Sequence, residues 1–290
     1  MEKQIITIIG STGTMGSELI DLLSKSGASI RAVMSDFSKV REIPGVVWVQ
    51  ADVSDASTLE ATLAGTDRLF LLTGNRAGFG KTQIEIIKTA ENLGVKYIVK
   101  LSALGASPKT TSGLALEHWE AEQVLENTKM TWTILRPHAF MQNWLGEEAK
   151  TVKEEGAIYA AIGDGKVPFI DARDIAAVAA EALLHPEKHQ RQRYVLTGAE
   201  AIGFQQLADA ISKAIGKPVV YKSLSMEEMR TRMEKQGIPT KSIDSLLALA
   251  AYQKAGGATE RTSDSVQEIL NRPPYSVEQF ARDYREYFIG

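Results

Sequence analysis

The chain has 290 residues, 44% of them hydrophobic, which is ample for a core, and no cysteine, which excludes disulfides, thiol redox chemistry and cysteine metal sites. Its formal net charge is −3 and it has no basic run of five or more. A nucleic-acid or membrane-surface role therefore has no footprint, and a small-molecule partner is expected. No apolar stretch approaches the about 18 residues of a bilayer span. Met1-Glu2-Lys3-Gln4 leads directly into a strand with no signal peptide, so a cytoplasmic protein is expected.

In chain order, Ile5, Ile6, Ile8 and Ile9 form a β-branched run too short for a helix and without strict alternation, as in a strand buried on both faces. Gly10 ends it. Ser11, Thr12, Gly13, Thr14, Met15 and Gly16 follow, and Leu19, Ile20, Leu22 and Leu23 then give the core face of a helix. Further strands are expected near Ser29 to Met34, Val46 to Gln50, Arg68 to Leu72, Tyr97 to Leu101 and Thr131 to Arg136. Helices are expected near Ser57 to Leu63, Thr82 to Leu93 and Leu114 to Asn127, with a short one after Met34. This alternation predicts an α/β fold with a doubly wound parallel sheet of Rossmann type.

Beyond Arg136 the rhythm changes. Gly156 to Pro168 reads as a hairpin, Asp171 to Leu184 as an alanine-rich helix capped by Asp171 or Asp174, and Tyr194 to Leu196 as one more strand. Helices are expected near Phe204 to Ile215, Met226 to Lys235, Ile243 to Lys254 and Val277 to Phe288, with a flexible break at Gly256, Gly257 and Ala258. The expected organisation is an NAD(P)-binding domain over residues 1–155, with 166–198 returning to it. A smaller, mostly helical C-terminal lobe for substrate takes 199–290 with about 156–165.

Strand, glycine turn, helix is the order a dinucleotide site requires. Gly10, Gly13 and Gly16 permit a tight turn, close approach to a pyrophosphate and close helix packing, while the helix start offers free N–H donors through Thr12, Thr14 and Met15. A merely structural turn is the alternative. Cofactor choice is expected at the end of the second strand: Ser35 can donate to a 2′-phosphate and Lys39 can add charge, favouring NADP, whereas Asp36 leaves NAD possible or is a helix cap. Asp52, with Val53, is placed to meet the adenine, or else caps a helix. Gly74 to Thr82 mimics G-x-x-x-x-G-K-[ST] but is one residue too long, so Thr73 and Gly74 are read as pyrophosphate or ribose neighbours.

The turn Gly10 to Gly16, the segments Val99 to Ala106 and Trp132 to Pro137, and the stretches Val167 to Ile175, Arg261 to Asp264 and Arg272 to Pro274 resemble the NmrA-like group of atypical short-chain dehydrogenases/reductases. The resemblance covers essentially the whole chain. It implies NADPH-dependent reduction of quinones, azo dyes or triphenylmethane dyes, or else a non-catalytic redox sensor acting through a protein partner. Typical short-chain dehydrogenases use Tyr-x-x-x-Lys, and none of the eight tyrosines here has a lysine four residues on. His118 stands at the tyrosine position and Glu122 at the lysine position; His118 is either an acid near neutral pH or a packing residue. Ser102 sits where a catalytic serine lies in typical members.

Without that pair, a conjugated acceptor suits the chain better than a ketone, because its reduced anion is delocalised and water can protonate it. Pro137 and Phe140 are expected at the nicotinamide, and His138, Phe140, Met141, Asn143 and Trp144 around the acceptor, unless the segment is a core-facing helix start. The four histidines form no H-E-x-x-H pattern, no G-x-S-x-G elbow exists, and no metal is expected. Monomer and homodimer both stay open.

Overall fold

The first strand, β1 (Ile5–Ile9), buries Ile6, Thr7, Ile8 and Ile9. Its one polar side chain is satisfied, since the Thr7 and Thr66 hydroxyls lie 2.7 Å apart. In this computed structural model, which describes residues 4–74, 76 and 78–290 apart from the side chain of Lys39, the chain continues through a regular series of elements. They are α1 (Thr14–Lys25), β2 (Ser29–Met34), β3 (Val46–Gln50), α2 (Ala56–Leu63), β4 (Arg68–Leu71), α3 (Phe79–Asn92), β5 (Tyr97–Leu101), α4 (Gly113–Glu126) and β6 (Thr131–Pro137). Then come α5 (Glu147–Glu155), β7 (Ala157–Ala160), α6 (Ala172–Leu184), α7 (Pro186–His189) and β8 (Gln192–Leu196). The last are α8 (Phe204–Ile215), β9 (Val220–Ser223), α9 (Met226–Lys235), α10 (Thr240–Ala255), α11 (Ser265–Leu270) and α12 (Val277–Asp283).

The chain divides into two units. The first comprises residues 1–138, 172–196 and 265–272, and holds a seven-stranded sheet in the order β3-β2-β1-β4-β5-β6-β8. Every pairing in it is parallel. A parallel sheet needs both faces covered. Helices α2, α3 and α4 cover one with Leu59, Leu63, Ile86, Ile87, Ala121 and Leu125. On the other, α6 packs on α1, β4, β5 and β6. Strand order reverses between β1 and β4, and ligands of doubly wound sheets bind at the carboxyl ends of the strands beside such a switch point.

The second unit comprises residues 139–171, 197–264 and 273–290. Its core is aromatic: Trp144 lies 4.6 Å from the Phe169 ring and 5.4 Å from that of Phe280. Leu207 and Ile211 of α8 pack into the same cluster. Among the described residues no helix is long and apolar enough to cross a membrane.

Three expectations need correction. Gly156 to Pro168 is no hairpin: β7 pairs in parallel with β9, and Val167 meets Ile202 in an isolated bridge. The glycines suggested a local return, but the partners come from much later in the chain. The first unit stops at His138 rather than at 155, because the chain leaves the sheet when β6 ends at Pro137, and residues 265–272 return to it as well. Leu22 is exposed, and Met15 and Gly16 complete the buried face of α1 instead.

Candidate functional site

The turn between β1 and α1 has three glycines with three different reasons. Gly10 has a φ of +86°, and a Cβ there would stand 2.6 Å from the Leu72 carbonyl oxygen after β4. A Cβ on Gly16 would come within 2.1 Å of the Gly10 oxygen, so α1 can approach β1 this closely only with glycine. Gly13 is unlike both. Its φ is −76°, and a Cβ would meet nothing nearer than the Gly10 oxygen at 3.6 Å. The fold itself does not require glycine there; the open space lies over the helix start, where the first-turn N–H groups have no side-chain cap. Thr12, Gly13 and Thr14 are exposed and Met15 is buried. Buried Ser11 donates to the Val33 carbonyl at 2.5 Å and ties the turn to β2. A pyrophosphate fits this cradle.

Ser35 follows β2 and is exposed, and its carbonyl accepts from Gln50 at 3.2 Å. Asp36 caps the following 3-10 turn, taking the Ser38 N–H at 2.9 Å and its hydroxyl at 2.7 Å on separate oxygens. The side chain of Lys39 lies outside the described residues. Asp52 accepts from the Ser54 N–H at 2.9 Å and its hydroxyl at 2.7 Å, which holds its carboxyl below the usual range. It therefore closes a local turn, and α2 is capped by Asp55 instead. Val53 beside it is half-buried.

After β4, the Thr73 hydroxyl accepts from Gln83 at 2.9 Å, and Gly74 has open space where a Cβ would stand. The other amide atom of fully buried Gln83, Oε1, has no partner among the described residues. The P-loop mimic has a packing explanation. A Cβ on Gly80 would lie 2.7 Å from the Glu117 Cβ, so Gly80 lets α3 and α4 touch. Glu117 also accepts the Gly80 N–H at 2.7 Å, which occupies a donor that a phosphate would need. Asn75 and Ala77 of this stretch lie outside the described residues.

At the carboxyl end of β5 the structure assembles a buried polar group that the sequence reading only half found. Lys100 is fully buried, with Nζ 3.3 Å from the Leu101 carbonyl and 3.3 Å from the His118 Nδ1. Burial pushes its amine down to about 7, against the upward pull of Glu122. His118 is buried edge-on to Phe79, and burial followed by the Lys100 charge drives it down to about 3. The imidazole is thus neutral at neutral pH, accepting from Lys100, and the expectation of an acid near neutrality is corrected. Ser102 donates to Glu122, which Arg136 grips through two nitrogens. The Ser102 proton is thereby committed to a carboxylate. Lys100 could have been suspected from the sequence, since it is a charge inside an otherwise apolar strand run.

The expected acceptor stretch is split between the units. Pro137 is buried and His138 half-buried at the end of β6 in the first. In the second, Phe140 is half-buried and bridges to Ile170, Asn143 is exposed, and Met141 and Trp144 are buried in the core. The core-facing alternative accounts for Met141 and Trp144, whose apolar bulk packs on the unit's own aromatics.

The chain matches the NmrA-like family over residues 2–281. It is 34% identical over 289 residues to an NAD(P)H azoreductase of Xenophilus azovorans, spanning 98% of this chain and 99% of that one. To quinone oxidoreductase 2 of Escherichia coli K12 it is 30% identical over 274 residues, spanning 93% and 94%. Among solved structures, an NADPH-dependent quinone oxidoreductase from Escherichia coli complexed with NADPH superimposes with a TM-score of 0.85 at 28% identity, spanning 96% of this chain and 99% of that one. With a family match over nearly its whole length, a doubly wound sheet and a glycine cradle at its switch point, the chain belongs to the NmrA-like family.

Proposed function

We propose that this chain is an NAD(P)H-dependent reductase of quinones, azo dyes or similar conjugated acceptors, with NADPH the preferred cofactor. The observation that carries the reading is Gly13: its fold leaves room for a side chain, yet the position is left open beside free helix N–H donors. The cofactor supplies the hydride when bound. The protein's own part is to hold the pyrophosphate on the β1–α1 turn. His118 is neutral and Ser102 is engaged by Glu122, so neither supplies a proton. An acceptor whose reduced form is a stabilised anion that solvent protonates needs no proton from either residue. The reductases of azo dyes and quinones among its relatives support that acceptor class.

The test is to follow NADPH oxidation by the purified protein with a panel of naphthoquinones, benzoquinones and azo dyes. Acceptor-dependent oxidation is expected with at least one class. Tight NADPH binding without turnover on any of them would overturn the reductase reading.

A further inference from the structure

The second unit contains a pocket of about 290 Å³, at the small end of ligand pockets, between the first turn of α5, β7, α9 and α10. Its wall is apolar and sulfur-rich: Phe204, Met229, Met233 and Leu247 line it. The charged groups at it are accounted for in pairs, save one. Glu147 accepts from Gln236, and Arg232 is held by Glu155 at 2.7 Å and stacked 3.9 Å over the Tyr159 ring. Glu148 lines the same pocket and is half-buried; the Thr151 hydroxyl donates to its main-chain carbonyl at 3.2 Å, while its carboxyl is paired with no other side chain among the described residues. Burial, with Glu147 beside it, pushes its carboxyl up to about 7, against the downward pull of a hydrogen bond from its own N–H.

We propose that this pocket binds a protonated arylalkylamine, with the ammonium on Glu148 and the ring against Met229, Met233 and Leu247. A neutral apolar guest would leave the carboxyl stranded, and an anion would be repelled by two adjacent glutamates. A cation gains a charge-assisted hydrogen bond from this half-buried carboxyl that an apolar guest or an anion cannot make. The thioethers of Met229 and Met233 favour an aromatic body, since sulfur packs well at ring edges. The volume suits one ring or a fused pair bearing a short chain. Every lining residue belongs to the second unit, so this inference stands independently of the NADPH-dependent reaction.

The experiment is calorimetric titration of the full chain, without NADPH, at pH 8 with tryptamine and with its neutral hydroxyl counterpart tryptophol. Tryptamine is expected to bind at least about tenfold more tightly. Glu148→Gln should weaken tryptamine by about that factor, leave tryptophol within about twofold, and melt cooperatively no lower than the wild type, since it removes a carboxylate that burial disfavours. Leu247→Trp, which fills the pocket, should abolish both; should that variant fail to fold, Met233→Trp on the half-exposed side of α9 replaces it. Equal affinity for the two ligands, no binding of either, or an unchanged preference in Glu148→Gln would overturn the proposal.

Discussion

Gly13 and Gly16 differ by three positions and should fail in opposite ways when substituted. Gly13→Val places a side chain in the open cradle with no protein atom nearer than 3.6 Å to its Cβ. It should cost stability only about 1 kcal/mol or less yet weaken NADPH at least about tenfold. Gly16→Ala gains helix propensity but drives a Cβ to 2.1 Å from the Gly10 oxygen. It should destabilise by about 2–4 kcal/mol. Thermal melts beside a fluorescence titration with NADPH separate the two; a Gly13→Val protein that binds like wild type would remove the cradle's role. All three glycines were legible in the sequence, but not which served packing and which left space, because that depends on Leu72 and on the carbonyl of Gly10. Lys100 makes a second prediction at this scale. Its folded value of about 7 lies below the ordinary 10.5, so the unfolded chain binds more protons between those limits and stability should rise with pH across them. Between pH 7 and 10 the wild type should gain about 3–4 kcal/mol relative to Lys100→Met. Urea unfolding at a series of pH values measures this, and parallel profiles for the two proteins would mean that the amine is not desolvated.

At the scale of elements, the packing of α3 on α4 is the sharpest case. Gly80→Ala would set a Cβ 2.7 Å from the Glu117 Cβ and 3.0 Å from its carbonyl oxygen, and backbone cannot yield as a side chain can. The helices must separate, at a cost of about 2 kcal/mol. Glu117→Gln keeps an acceptor for the Gly80 N–H and should cost about 1 kcal/mol or less. If the two variants melt alike, the close approach is not what fixes glycine at position 80. The same pair shows how far motif reading goes. Gly80-Lys81-Thr82 looks like a phosphate loop until the partner helix, unseen in the local sequence, supplies both the steric reason for Gly80 and the carboxylate that takes its N–H. Elements with strong apolar periodicity were readable, α1 and α8 among them. Helix α5 was not, because Glu-Glu-Ala-Lys-Thr-Val-Lys-Glu-Glu buries only Ala149, Thr151 and Val152. Strands β7 and β9 have four residues each and define one another only by pairing. The Glu148 pocket shares that difficulty, since its walls come from helices α9 and α10 far along the chain.

At the scale of the whole molecule, the doubly wound class followed from alternation in the first half of the sequence, but the natural cut did not. A cut at 155 alone severs the fold, for the first unit is completed by residues 172–196, within the expected return of 166–198, and by residues 265–272, which the sequence did not announce. Strand β8 pairs with β6 from Thr133 to Pro137 and finishes the sheet. Helix α6 covers the face above β4, β5 and β6 and packs on α1, and its Ile175, Val178, Ala179, Ala182 and Leu183 are all fully buried. Each larger side chain of that set contributes about 1.5–3 kcal/mol by leaving water. Their loss, together with the apolar sheet surface they cover, is comparable with the about 5–15 kcal/mol that separates a folded domain from its unfolded chain. A fragment of residues 1–155, which contains the entire glycine turn, should therefore show no cooperative melt and no saturable NADPH binding. The full chain with NADPH at about a hundred times its dissociation constant should gain about 2.7 kcal/mol, a rise of several degrees in melting temperature. A fragment that melts cooperatively and titrates with NADPH would mean that the first six strands and their helices suffice, and that α6 and β8 only trim a site the turn can build without them.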